Sequence, residues 1–175
     1  MDTSSVGAVL IFGALSSTIA SLIWLLMLRR VRPRIEISPF IAEESINDSP
    51  QWRLKLINRS RRAAVDISIE IVLIRAQSAA NGSVNMTRAI PVGRLPLMLP
   101  GKRWRSGSDD NCYRIRIHAN PGNLLTPDDG RYLRVRIMAR DEVSGVGRLF
   151  EQRYAYLATS IVKGRFSKGQ HFQVL

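Results

Sequence analysis

The stretch Val6 to Leu28, VGAVLIFGALSSTIASLIWLLML, runs 23 residues without a charge and ends in Arg29-Arg30-Val31-Arg32-Pro33-Arg34. A helix rises about 1.5 Å per residue and a hydrocarbon core is about 30 Å thick, so this run predicts a single transmembrane α-helix over 6–28. The preceding tail, 1–5, carries only Asp2, while cations crowd the other flank. By the positive-inside rule the tail is expected outside and the remainder in the cytoplasm. The basic juxtamembrane segment 29–34 places Arg29, Arg30, Arg32 and Arg34 where lipid headgroups would be, at about 1 kcal/mol per side chain. A cleaved signal peptide would need a positive n-region and a shorter apolar core, and neither is present.

Within the run, Gly13, Ser17 and Ser21 recur every fourth residue, with Ser16 and Ala20 beside them. Small residues at that spacing let helices approach closely, and their hydroxyls bond across an interface or line a water-filled path. Gly13, Ser16, Ser17, Ala20 and Ser21 are therefore expected to line helix contacts or a pore, which implies a homo-oligomer.

From Arg34 the period changes from helical to alternating. Arg34 to Ser38, Trp52 to Ile57, Ala64 to Ala76, Cys112 to His118, Tyr132 to Arg140 and Arg148 to Ala158 read as strands. In the best of them Val65, Ile67, Ile69 and Ile71 share one face. Glu43 to Pro50 and Gln77 to Thr87 read as polar connections, and Pro91, Pro96 and Pro100 confine 90–99 to an edge or an extended cover. Seven or eight short strands separated by turns, with no further convincing helix, predict an all-β cytoplasmic domain over 35–160, an antiparallel immunoglobulin-like β-sandwich. The basic C-terminal tail, 161–175, with Phe166 and Phe172, is expected to pack on a neighbour or to be mobile.

Catalysis finds no support in the residues. The two histidines, His118 and His171, belong to no metal or nucleophile motif, and the acidic pairs Glu43-Glu44, Asp109-Asp110, Asp128-Asp129 and Asp141-Glu142 all fall in turns. Cys112 is alone, which excludes an intrachain disulfide. The chain is expected to be no enzyme and to use no cofactor or metal.

Charge is the positive signal. The chain carries a net +12, and its 26 basic residues, 22 of them Arg, all lie from Arg29 onward. No acidic residue occurs between Ile71 and Ser108. A guanidinium is a planar fork of donors suited to phosphate. Side chains two apart on a strand share a face, so Arg114 with Arg116, Arg134 with Arg136, and Arg53 with Lys55 each form a basic row. Paired strands would merge these rows into a patch. Arg103, Trp104 and Arg105 add a stacking ring among cations. Arginines with aromatics are the equipment that binds single-stranded nucleic acid, so these nine residues are expected to receive an oligonucleotide or another polyphosphate.

In its layout, with Val6 to Arg34 followed by arginine-rich strands, the chain resembles the small single-pass, channel-type membrane effectors of bacterial antiphage systems, Hailong-like. The resemblance implies a homo-oligomeric ion-conducting pore in the bacterial inner membrane, in antiviral defence. It also implies that the pore is gated by a nucleotide-based ligand, supplied by a partner enzyme, on the basic β-domain. The alternative is a membrane-tethered adaptor, its β-domain binding a protein or anionic lipids and its helix serving only as an anchor.

Overall fold

A computed structural model of the chain describes residues 3–46, 49–80, 82–102, 111–125, 130–155 and 157–175. It divides into two compact units, Met1–Arg32 and Pro33–Leu175.

The first unit is one helix, α1, Thr3–Val31. Among the described residues no helix is long and apolar enough to cross a membrane. The described surface of the charge-free run in α1 is mainly apolar. Four hydroxyls, Ser16, Ser17, Thr18 and Ser21, interrupt its apolar surface. The transmembrane helix over 6–28, the ion channel built on it, and the single-pass inner-membrane location with its tail outside are thereby corrected. Arg30, Arg32 and Arg34, expected at lipid headgroups, are exposed; the Arg29 side chain lies outside the described residues.

The second unit is mostly β. β1 (Ile35–Ile37), β2 (Ile41–Ile46), β3 (Ser49–Asn58), β4 (Ala64–Ala79), β5 (Gly82–Ala89), β6 (Met98–Leu99) and β7 (Cys112–Ile117) come first. A single turn of helix, α2 (Pro121–Leu124), leads to β8 (Tyr132–Asp141) and β9 (Gly147–Tyr154), and another, α3 (Leu157–Ser160), to β10 (Ile161–Lys163). In the first sheet β3 is central: β7 lies along one edge, and β2 and β1 share the other. The second sheet runs β5-β4-β8-β9, with β6 on the β5 side of β4. Both sheets contribute to one core: Leu54, Leu56, Ile115 and Ile117 from the first, Ile71, Leu133, Val135 and Ile137 from the second.

The expected fold of a membrane helix plus a purely antiparallel immunoglobulin-like sandwich is corrected on a second count. β10 runs parallel to β2, pairing Ile161 with Ile41 and Lys163 with Glu43, so the first sheet is mixed. The tail supplies that strand, and its Phe166 is buried and stacked on Phe40 at 5.7 Å.

Two smaller differences have local causes. Asp66 takes a left-handed φ of 51°, and the register slips between Val65 and Ser68. Asp tolerates that conformation better than a β-branched residue, and the bulge leaves Val65 opposite Arg140 rather than beside Ile67 and Ile71 on the core side. Glu43 to Pro50 and Gln77 to Thr87 are largely strand, the latter forming most of the β4–β5 hairpin.

The turn after β8 is organised by Asp141, which is 2% exposed. Its Oδ1 accepts from Val143 N at 3.2 Å and from Ser144 N and Oγ at 2.8 and 2.9 Å. Burial pushes its pKa up, but these hydrogen bonds and the Arg62 guanidinium outweigh it and hold the carboxyl below the usual carboxylate range. A folded pKa below the unfolded value of about 3.9 contributes stability at neutral pH, and that contribution fades as pH falls through the folded value. Asp141→Asn is expected to lose about 1–2 kcal/mol at pH 7, with the deficit shrinking below about pH 4, in urea unfolding at a series of pH values. A deficit independent of pH would show that the charge is immaterial.

Candidate nucleic-acid interface

On β3 and β7 Trp52, Leu54, Leu56, Tyr113, Ile115 and Ile117 face the core, and the alternate positions face away from it. The register sets Arg53 opposite Arg116 and Lys55 opposite Arg114. Four cations thus stand in two directly opposed pairs, an arrangement that is destabilising unless anions or carbonyls compensate it.

At one pair the compensation comes from the C-terminal segment. Lys55 is fully buried, and its Nζ donates to the carbonyls of Ser167, Gly169 and His171 at 2.8, 2.6 and 2.9 Å. Arg114 donates from Nη2 to the same Ser167 carbonyl at 3.2 Å. Cys112, beside them, donates from Sγ to Gly169 O at 3.4 Å. Ser167 Oγ lies 2.9 Å from His171 Nδ1 and donates to Gln173 O at 3.0 Å, so this Ser–His contact braces the segment. Lys55 is accordingly a structural cation, not a ligand-facing one.

At the other pair the compensation is partial. Arg53 Nε lies 3.0 Å from Glu44 Oε2, and Glu44 Oε1 is shared with Arg165 Nε at 3.2 Å. Arg116 is exposed and has no acidic partner among the described residues. It borders a cleft of about 230 Å³ with Trp52, His118 and Asn120. The segment at Gly93 pairs along β7 there, Gly93 N donating to Arg116 O at 2.7 Å and His118 N to Pro91 O at 3.0 Å. A Cβ on Gly93 would lie 3.3 Å from Arg116 Cβ and 3.4 Å from His118 Nε2, so the glycine preserves the space between them.

The rows Arg114/Arg116 and Arg134/Arg136 do not merge, because β7 pairs with β3 whereas β8 pairs with β4 and β9. They occupy outer faces of different sheets. Around Arg134 and Arg136 much of the charge is taken up locally. Glu151 accepts from Arg153 at 2.8 Å and Arg136 at 3.1 Å, which holds its carboxyl below the usual range and pushes Arg153 up. Arg153 also sits over the Tyr132 ring at 5.6 Å. Arg134 Nε is buried with no hydrogen-bond partner among the described residues, and its cross-strand neighbour is Arg153.

Arg103, Trp104 and Arg105 lie outside the described residues. On α1, Gly13, Ser16, Ser17, Ala20 and Ser21 are exposed. Ser16 Oγ donates to Gly13 O and Ser21 Oγ to Ser17 O at 3.0 and 2.9 Å, so these two hydroxyls turn back onto their own helix. Among the described residues no group of three His, Cys, Asp or Glu side chains is placed to hold a metal ion.

Sequence reasoning assigned Arg116 to the ligand but not Trp52, His118 or Asn120. His118 follows Arg116 by two residues, and that spacing was the available signal. Trp52 is separated from β7 by 60 residues of chain, so only the strand pairing brings it near. No known family model matches the chain, and no curated protein matches it.

Proposed function

We propose that the unit Pro33–Leu175 is a binding module for a single-stranded oligonucleotide, with Arg116 as its principal phosphate contact and the exposed His118, two residues on along the same strand face, beside it. The observation that carries this reading is the exposed Arg116 set directly across from Arg53, beside the exposed His118, at a cleft of about 230 Å³. That volume is below the usual range of about 300–1,000 Å³ for enclosed small-molecule sites. It suits one nucleotide of a strand that otherwise tracks over the surface. Arg94 and Lys168, both exposed, add positive charge to the same unit. The nucleotide-ligand part of the antiphage-effector resemblance is kept here, and the pore is not.

Binding of a fluorescent single-stranded oligonucleotide, followed by anisotropy, is expected to weaken steeply with salt, because phosphate contacts release counterions. Arg116→Ala is expected to weaken it about tenfold and to lower the salt slope by about one phosphate contact. Affinity indifferent to salt, or unchanged in Arg116→Ala, would overturn the reading.

A further inference from the structure

The β4–β5 hairpin outruns its sheet. Every described side chain from Arg75 to Ser78 and from Gly82 to Ala89 is exposed, Val84 at 55% and Met86 at 56% among them. Among the described residues the arm has no core beneath either face, yet beyond the buried Val72, Leu73 and Ile74 it keeps five consecutive registered pairs, from Arg75↔Met86 to Ala79↔Gly82. A two-stranded ribbon of this kind is marginal by itself in water. β5 also carries few of the devices that protect an open edge: it contains no proline, no lysine and no register slip, and its one charge, Arg88, lies opposite Leu73 at the base of the arm.

The direction of the unpaired backbone groups follows from the register. Ile90 N donates to Ile71 O at 2.8 Å, so the Ile71–Ile90 pair is of the hydrogen-bonded kind. Antiparallel pairs alternate, which makes Leu73–Arg88, Arg75–Met86 and Gln77–Val84 hydrogen-bonded as well. The N–H and C=O groups of Ser83, Asn85 and Thr87 therefore point away from β4, towards the free edge.

We propose that this edge is a homodimer contact in which the β5 strands of two copies pair antiparallel about a two-fold axis at Asn85. The sequence is complementary to itself in that register. Asn85 meets Asn85 of the second copy and Ser83 meets Thr87, each as a hydrogen-bonded pair, giving about six new backbone hydrogen bonds. Val84 then falls opposite Met86 in the closer, non-hydrogen-bonded position. The two copies bring Val84, Met86, Val84 and Met86 together on one face of the joined ribbon. Arg88 lands opposite Gly82 at the far end, so the two Arg88 charges stay apart. The contact is isologous and uses up the edge it forms from, so it closes at two copies and continues the β5-β4-β8-β9 sheet across the axis. The arm carries no carboxylate that would select a basic strand instead. This contact stands independently of oligonucleotide binding.

The test is a disulfide at the axis, made in the full-length chain with Cys112→Ser to remove the native thiol. Hydrogen-bonded partners have Cα atoms about 5.5 Å apart, within the span a disulfide bridges. Asn85→Cys is expected to form covalent dimers under mild oxidation at least ten times faster than Ser78→Cys, a control on the same arm but off the edge. Adding Met86→Lys should return the rate to that of the control, since it sets an ammonium among the apolar side chains. These positions lie outside the core, and far-ultraviolet circular dichroism verifies that the fold is kept. Equal rates at positions 85 and 78 would mean random collision, association elsewhere on the chain, or an edge taken by a different strand. That result, or a rate insensitive to Met86→Lys, overturns the proposal.

Discussion

Lys55→Met is expected to destabilise the β unit by about 3 kcal/mol or more, because the substitution strands buried acceptors rather than simply deleting a charge. The ammonium is the shared donor for three carbonyls of the C-terminal segment, all within 2.9 Å. Without it those carbonyls must be solvated, and the simplest route is for residues 165–173 to lift away. Phe166 would leave its place against Phe40, and Cys112 would lose the Gly169 carbonyl. Two readouts separate this mechanism from a diffuse loss: urea unfolding gives the stability, and the rate of Cys112 modification by a thiol reagent reports the cover. Lys55→Arg is expected to fail nearly as badly, since a planar guanidinium cannot direct donors to three carbonyls grouped around a compact ammonium. If Lys55→Met were as stable as the parent chain with an unchanged thiol rate, the carbonyl cage would contribute nothing.

Lys55 also marks what alternation reveals and what it hides. The period of two placed Leu54 and Leu56, Ile115 and Ile117, and Leu133, Val135 and Ile137 on inward faces, and each belongs to the core. It assigned Lys55 to the same outward face as Arg53 for the same reason. Whether an outward face meets water depends on what is laid over it, and here the cover is the carbonyls of residues 167–171, more than a hundred residues away in sequence. Alternation is equally silent about partners. A strand reads the same beside any neighbour, so the rows Arg114/Arg116 and Arg134/Arg136 were indistinguishable from one continuous patch until pairing put β7 and β8 in separate sheets. Gln77 to Thr87 was hidden for a different reason. A ribbon exposed on both faces has no apolar period to detect, and its Asn81-Gly82 step reads as a loop. The helix itself was plain from the uncharged run, whereas its membrane crossing was an inference from length and composition, which no helix among the described residues upholds.

Asn58→Ala should produce a loss comparable to that of Lys55, about 3 kcal/mol, because this fully buried amide joins three separate stretches of chain. Asn58 ends β3. Its Nδ2 donates to Arg62 O at 3.0 Å in the following turn, and to Leu99 O, the end of β6, and Pro100 O just after it at 2.9 and 3.2 Å. Its Oδ1 accepts from Ser60 N at 3.0 Å and from Ser60 Oγ, which closes the turn, and its own carbonyl accepts from Asn111 Nδ2 at 3.1 Å. The two loops touch so closely that a Cβ on Gly101 would lie 2.5 Å from the Arg61 and Arg62 carbonyl oxygens. Alanine at 58 leaves that contact without its donor, and water has no room to replace it. Asn58→Asp is the sharper test, because it keeps the shape and the acceptor but turns the donor into a second oxygen facing three carbonyls. A carboxyl held there resists ionisation, so its folded pKa rises above the unfolded value of about 3.9. The penalty is then small below that value and grows as pH rises through it. Urea unfolding of Asn58→Asp at pH 3.5 and pH 7 is expected to show the larger deficit at pH 7. Equal deficits at the two pH values would mean that the side chain at 58 reaches water, contrary to its burial beneath the Arg62 and Pro100 carbonyls.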